Sequence, residues 1–203
     1  MKKILIIGKK SFLGNSLLKL LKKKYKTNII YYKNLNKFKN TINSYNYIIN
    51  TSINKNYINK KYNEKFDNDL QISKILEGNK IRYVFFSTRK VYSANANIKE
   101  NSKLSPKTNY SKNKLITENL LKSKFKKNLL ILRISNIIGE KSKYKKSLHK
   151  TFIDIFYENA KKGFIYNNKK KYKDFLSIQK FCQIMIYVML LQALLQEILK
   201  IKT

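Results

Sequence analysis

Short apolar runs and helical patterns alternate along the first 140 residues of the chain. Five runs have the length and the composition of buried strands, namely residues 4–7, 28–32, 47–50, 81–86 and 129–134. Between them, apolar residues three and four positions apart predict helices over 12–21, 64–77 and 108–124, and a short helix near 36–43. This alternation predicts an α/β fold with an open, mostly parallel sheet.

The pattern changes after Gly139. Two basic stretches, residues 141–150 and 167–173, flank a helix predicted over 151–162, and an apolar tail follows at 175–201. The richest part of that tail, residues 184–195, is shorter than the roughly 18 apolar residues of a membrane-spanning helix. We therefore expect no membrane span, and interpret the tail as a core or interface helix.

The composition adds a formal net charge of +34, from 45 Lys and Arg against 11 Asp and Glu in 203 residues. This charge is typical of nucleic-acid-binding proteins, but only three basic residues are Arg, the side chain best suited to phosphate and base contacts. The lysines are spread along the chain and accompany abundant Asn, Ile and Tyr, as A/T-rich codons would produce. We expect solvated surface lysines and no nucleic-acid partner.

The cysteine and histidine counts limit the chemistry further. One Cys excludes an intramolecular disulfide framework and a cysteine-based zinc site, and one His excludes a multi-histidine metal site. We therefore expect no metal. The four-residue apolar run near the N-terminus is too short for a signal-peptide core, so we expect a cytoplasmic protein.

The first candidate site is the turn GKKSFLG at residues 8–14, between the first predicted strand and the first predicted helix. Gly8 permits a tight turn, and Gly14 lets the helix approach the strand closely. The N–H groups and the positive end of the helix face this turn, which suits a pyrophosphate. Ser11 stands where a third glycine would let the phosphate approach. Two glycines alone are weak evidence, since turns of this kind often carry glycines for packing.

The second candidate site is the pair Tyr110 and Lys114, which share one face of a helix. A phenol ionises near pH 10, so proton transfer near neutrality needs roughly 4 kcal/mol of help. One ammonium about 6 Å away at an effective dielectric of 20 supplies about 3 kcal/mol. The spacing itself occurs four times in the sequence, which is close to chance.

The context of the Tyr110 pair separates it from the other three. It opens a helix between two apolar strands, and the preceding strand ends in Ser87 and Thr88. Ligands of parallel sheets bind at the carboxyl ends of the strands, where the Gly8 turn is also expected. These features therefore converge on one edge of the sheet.

Six stretches, in order along the chain, resemble the NAD-dependent epimerase/dehydratase family of extended short-chain dehydrogenases/reductases. They are IIGKKSFLG (6–14), YIINTS (47–52), YVFFSTRKVY (83–92), KENSKLSPKTNYSKNK (99–114), LLILRISNIIGE (129–140) and KDFLSI (173–178). The resemblance implies a Rossmann-like, doubly wound parallel sheet at residues 1–140 that binds NAD or NADP. It also implies a substrate-binding region at residues 141–203 and an enzyme that oxidises, reduces, epimerises or dehydrates a nucleotide sugar.

The resemblance also implies roles for individual residues. Thr88 would hydrogen-bond the reacting sugar hydroxyl or carbonyl, Tyr110 would transfer the proton, and Lys114 would lower the pKa of Tyr110 and hold the cofactor ribose. Tyr92 and Asn136 would face the sugar nucleotide. The alternatives are a strand-end cap for Thr88 and a turn residue for Asn136. Further cofactor contacts are expected from Gly8, Ser11, Phe12, Leu13, Gly14, Asn50, Thr51 and Ser52.

The sequence departs from the family pattern at three places. Ser11 replaces a glycine of the turn. No carboxylate precedes Glu64, so the acidic residue that binds an NAD ribose is missing. Lys33 stands near that position and could bind a 2′-phosphate, so NADP fits at least as well as NAD.

The third departure is at the C-terminus. The family usually continues well past KDFLSI, whereas 25 residues follow here, so we expect a small, truncated C-terminal substrate region. A catalytically impaired nucleotide-binding relative remains the alternative function. The apolar tail leaves a homodimer open.

Overall fold

The computed structural model describes residues 1–76, 81–93, 98–138, 159, 161–163 and 175–187. Five parallel strands form its main sheet, and all neighbouring pairs run in the same direction. They are β1 (Lys3–Ile7), β2 (Lys26–Ile30), β3 (Tyr47–Asn50), β4 (Arg82–Thr88) and β5 (Leu129–Ile134). The strand order is β2-β1-β3-β4-β5. The predicted Rossmann-like parallel sheet is confirmed.

Helices cover both faces of the sheet, which is why the central strands read as continuous apolar runs. On one face, Leu5, Ile48 and Phe85 belong to the same apolar cluster as Leu121 of the helix at residues 109–125. The opposite face carries Ile4 and Ile6 with their neighbours. The helices between these strands, among the described residues, include α1 (Phe12–Leu21), α2 (Lys39–Ile42), α3 (Lys55–Asn59), α4 (Asn68–Lys74) and α5 (Asn109–Phe125).

The second strand starts and ends two residues earlier than the predicted 28–32. Its register with β1 pairs Lys3 with Lys26 and Ile7 with Ile30. The carbonyl of Ile30 then accepts from the N–H groups of both Gly8 and Lys9, which ends the strand. Residues 32–38 form a 3₁₀ turn instead of strand.

The helix predicted over 64–77 begins later than its apolar pattern indicates. Asp67 caps α4, because its carboxylate accepts from the N–H of Leu70 at 3.0 Å. Residues 64–66 precede the cap as a 3₁₀ turn, and residue 77 lies outside the described residues. Helix α3 was not predicted, and Asn54 caps it.

A two-stranded parallel sheet, also not predicted, joins β6 (Asn136–Ile138) to β7 (Phe175–Ser177). Residues 178–187 are helical and bury Phe181, Cys182 and Met185 against the main sheet. This packing agrees with a core helix at the start of the tail. Burial raises the pKa of the Cys182 thiol to about 11.

Several expectations fall on other parts of the chain. The basic stretches 141–150 and 167–173, most of the helix predicted over 151–162 and the tail after residue 187 lie outside the described residues. Within the part of the chain that the structure describes, no helix is both long and apolar enough to cross a membrane. The division at residue 140 stays a prediction.

Candidate functional site

The site lies where the winding of the sheet reverses. Strand β2 lies on one side of β1, whereas β3, β4 and β5 lie on the other. In open α/β sheets, ligands bind outside the carboxyl ends of the strands at such a reversal. Gly8 follows β1 and Thr51 follows β3, so the glycine turn and the end of β3 meet there.

The two glycines of this turn pack tightly against Thr51. A Cβ added at Gly8 would lie 2.3 Å from Oγ1 of Thr51, and one added at Gly14 would lie 2.6 Å from the same atom. Gly8 also has φ of 130°, a conformation that residues with a side chain rarely adopt. The glycines are therefore required by packing, whether or not a ligand binds beside them.

Ser11 replaces the middle glycine and caps α1. Its hydroxyl accepts from the N–H of Gly14 at 3.3 Å. The amide of Asn15 donates to the carbonyls of Lys9 and Ser11, both at 2.8 Å, which ties the turn to the helix. The first turn of α1 carries no acidic residue, so the positive end of the helix dipole is left free to attract an anion. A pyrophosphate here would use the N–H groups of Phe12 and Leu13.

Side-chain hydrogen bonds also hold the end of β3. The amide oxygen of Asn50 accepts from the N–H and the hydroxyl of Ser52, at 2.9 and 2.7 Å. The amide nitrogen of Asn50 donates to Asp69 at 2.9 Å. The hydroxyl of Thr51 donates to the carbonyl of Ile7 at 3.1 Å. These three expected cofactor contacts thus form one rigid corner at the reversal.

Lys114 reaches the same corner from α5. The residue is only 5% exposed, and its Nζ lies 3.7 Å from Oδ2 of Asp69. The ammonium also lies 4.4 Å from the centre of the Phe85 ring, a cation–π distance. Tyr110 lies one turn earlier on α5 and is partly exposed.

Hydrogen bonds to α3 fix the start of α5. Asn113 donates to the carbonyls of Tyr57 and Lys60, at 2.7 and 2.9 Å. Thr108 and Ser111 form a reciprocal capping box at the N-terminus of α5. Side-chain hydrogen bonds before and after Tyr110 therefore fix the part of α5 that carries it.

A second ion pair, with a buried carboxylate and a partly exposed arginine, crosses from α5 to β5. Arg133 donates to Glu118 from Nε at 3.0 Å and from Nη2 at 2.6 Å, and Ser87 donates to the same carboxylate. Hydrogen bonds to Glu118 raise the pKa of Arg133. Sequence reasoning missed Glu118, although it lies four residues after Lys114 and thus on the same helix face.

The expected substrate contacts are Thr88, Tyr92 and Asn136. Thr88 is buried, and its hydroxyl accepts from the N–H of Lys90 at 3.3 Å, as a strand-end cap would. The Tyr92 hydroxyl accepts from Arg133 and donates to the carbonyl of Glu100. Asn136 opens β6, opposite Phe175. Their roles toward a sugar nucleotide stay predictions.

Two lysines flank an aromatic ring at the end of β2. The Nζ atoms of Lys9 and Lys33 lie 5.4 and 6.0 Å from the centre of the Tyr31 ring. Lys9 belongs to the glycine turn, so the structure brings Lys33 to the edge where the cofactor was expected. Within the described residues, no three His, Cys, Asp or Glu side chains are grouped closely enough to hold a metal ion.

Comparison with protein families identifies the class. Residues 48–199 match the NAD dependent epimerase/dehydratase family, and they make up more than half of the chain. The chain therefore belongs to this family, and the resemblance noted in the sequence is confirmed. The family is NAD-dependent, which agrees with the expected cofactor class of NAD or NADP. A search of curated proteins finds no match.

Solved structures share the fold at low sequence identity. A UDP-N-acetylglucosamine 4-epimerase from Methanobrevibacter ruminantium M1 is 19% identical with a TM-score of 0.70, over 90% of this chain and 71% of that one. A dTDP-4-dehydrorhamnose reductase from Clostridium acetobutylicum is 20% identical, with a TM-score of 0.71 over 94% and 71%. A dTDP-glucose 4,6-dehydratase from Bacillus anthracis, solved in complex with NAD, is 16% identical. Its TM-score is 0.69, over 93% of this chain and 71% of that one.

The packing of the glycine turn yields a stability prediction. In a helix, Ala is favoured over Gly by about 1 kcal/mol, so Gly14→Ala would stabilise α1 if space allowed. Because the added Cβ would meet Thr51 and the carbonyl of Gly8, we expect a net destabilisation of about 1–3 kcal/mol in urea unfolding. The double variant with Thr51→Ala should recover part of this loss. A Gly14→Ala protein as stable as wild type would refute the crowding.

Proposed function

We propose that the chain is an NAD(P)-dependent oxidoreductase, epimerase or dehydratase that acts on a nucleotide sugar. Family membership supports the class, and the likeness to nucleotide-sugar enzymes supports the substrate. The observation that carries the proposal is the arrangement of Tyr110 and Lys114. They lie one turn apart on α5, and the Lys114 ammonium reaches the corner at the end of β3. A cytoplasmic location and a homodimer belong to the same proposal.

The proposed chemistry divides between the cofactor and the chain. A bound nicotinamide would supply hydride transfer from or to a sugar carbon. As the C–H bond breaks, Tyr110 takes the proton of the hydroxyl on that carbon, and a C=O bond forms. In the reverse direction the phenol returns the proton. Lys114 favours the phenolate by its charge, and Thr88 hydrogen-bonds the same sugar oxygen.

The cofactor fits the residues present at two points. The N-terminus of α1 offers N–H groups and a positive end without an acidic residue. Lys9 and Lys33 offer two ammonium groups at the end of β2, where a carboxylate would otherwise bind the ribose. We propose that these lysines bind a 2′-phosphate and that NADP is the preferred cofactor.

The first test removes the proton carrier. Tyr110→Phe should lower kcat by about 100- to 10,000-fold on whichever UDP- or dTDP-sugar the wild type turns over. The Kd for the dinucleotide should rise by less than about tenfold, because one hydrogen bond at most is lost and the ring remains. Tyr45→Phe is the matched control, since its hydroxyl accepts a hydrogen bond from Asn28, in β2.

Two outcomes would contradict the proposal. If the chain binds a dinucleotide but Tyr110→Phe leaves turnover of the nucleotide sugar unchanged, the protein is a catalytically impaired relative. If titrations monitored by nicotinamide fluorescence show binding of neither NADH nor NADPH, the proposed enzymatic function is excluded.

The second test concerns the 2′-phosphate. The wild type should bind NADPH at least about tenfold more tightly than NADH, since two ammonium groups face one phosphate. Lys33→Glu should reverse this preference, because the new carboxylate repels the phosphate and accepts from a ribose hydroxyl. Lys37→Glu, an equal charge change later in the same 3₁₀ turn, is the control. Equal effects of both variants would show that only the general charge matters.

A further inference from the structure

A buried carboxylate faces Lys114, and the family chemistry proposed above gives it no role. Asp69 lies in the first turn of α4, and its side chain is 7% exposed. Its Oδ2 is the atom that lies 3.7 Å from the Lys114 ammonium. A charged group buried in this way destabilises the fold unless it is paired and hydrogen-bonded.

The position of the Asp69 carboxylate is determined by the sheet. Oδ1 accepts from the amide of Asn50 at 2.9 Å and from the hydroxyl of Tyr83 at 2.8 Å. Asn50 ends β3 and Tyr83 lies in β4, so two neighbouring strands hold this oxygen. Oδ2 is thereby directed at α5. The carboxylate is a fixed counter-charge, not a mobile surface group.

The ammonium is held less tightly than the carboxylate. Charge-assisted hydrogen bonds between these groups are about 2.7–2.9 Å long, whereas this pair is separated by 3.7 Å. Two aromatic rings complete its surroundings, with centres 4.4 Å away for Phe85 and 5.6 Å for Tyr57. The Asp69 carboxylate and the two rings therefore confine the Lys114 ammonium to one place. Its N–H groups can still donate to a further acceptor.

The other ionisable groups around the pair do not replace this counter-charge. Burial raises the pKa of the phenols of Tyr32, Tyr57 and Tyr83, so they stay protonated through neutral pH. Burial also raises the pKa of Asp69, while Lys114 acts in the opposite direction.

The remaining facing carboxylate, Asp67, is engaged elsewhere. It accepts from Thr117 at 2.6 Å, from Tyr62 at 3.1 Å and from the N–H of Leu70 at 3.0 Å. Among the described residues, Asp69 is therefore the carboxylate that pairs with Lys114.

We propose that Asp69 is a positioning residue that holds the ammonium of Lys114, the residue one helical turn after Tyr110, near the end of β3 and offsets part of its charge. The inference rests on the proposed function, because it concerns how Lys114 acts on Tyr110. A positive charge favours the phenolate and a negative charge disfavours it.

The catalytic test is the pH dependence of kcat/KM. Asp69→Asn keeps the shape of the side chain and removes its charge, so the acidic limb should move to lower pH by about one unit. Tyr83→Phe is the matched control. It removes a hydrogen bond from the same carboxylate but leaves both charges, so it should lower stability without moving the limb. An unmoved limb in Asp69→Asn, or an equal movement in Tyr83→Phe, would overturn the proposal.

A second readout needs no activity. Asp69→Asn, Lys114→Met and the double variant form a cycle measured by urea unfolding in the absence of cofactor. Each single change strands one buried charged partner, so the double variant should lose clearly less than the two single losses combined. Additive losses would show that the two groups do not interact, and would overturn the inference. If the wild type has no activity but the cycle is non-additive, the proposed function fails and the ion pair stands.

Discussion

The docking of α5 on the sheet is the constraint on which the rest of the site depends. The buried face of this helix is largely polar, and includes Asn113, Lys114, Thr117 and Glu118. Such groups destabilise a fold when they are buried without partners. Each of these four has a partner here, on α3, on the α4 segment or on β4 and β5. Matched polar contacts, more than an apolar stripe, therefore set the rotation of α5 and so the position of Tyr110.

The acidic residues take on a different meaning in this light. The chain has 11 of them, and three, namely Asp67, Asp69 and Glu118, are buried around α5. They serve as acceptors inside a strongly basic protein. Among the described residues, the lysines other than Lys114 lie at the surface, whereas the interior next to the site holds paired opposite charges. Net charge alone says little about such a site.

The fold could largely be predicted from sequence, because strands buried on both faces read as unbroken apolar runs. The exact ends of the elements and the pairing of the short strands could not be predicted. The end of β2 depends on the carbonyl of Ile30 accepting from the glycine turn, and the start of α4 depends on a cap by Asp67. Strands β6 and β7 are three residues each and far apart in sequence, so no local period marks them.

Of the site, the spacing of Tyr110 and Lys114 and the edge they share were predictable. Asp69 and Glu118 were not, because apolar patterns do not indicate which buried polar groups will pair. Nor does the Tyr-Lys motif indicate that a carboxylate on another helix pairs with its lysine, as Asp69 of α4 does with Lys114. Among the described residues, no buried side-chain nitrogen or oxygen atom lacks a hydrogen-bond partner. Such matching depends on the whole fold.

A crystal structure of the full chain bound to NADPH would test the central idea most directly. We expect the phenol of Tyr110 and the ammonium of Lys114 to lie within about 3.2 Å of hydroxyls of the nicotinamide ribose. We also expect the pyrophosphate at the first turn of α1. A dinucleotide bound away from the carboxyl edge of the sheet, or one that leaves Lys114 without a ribose contact, would contradict the proposed site.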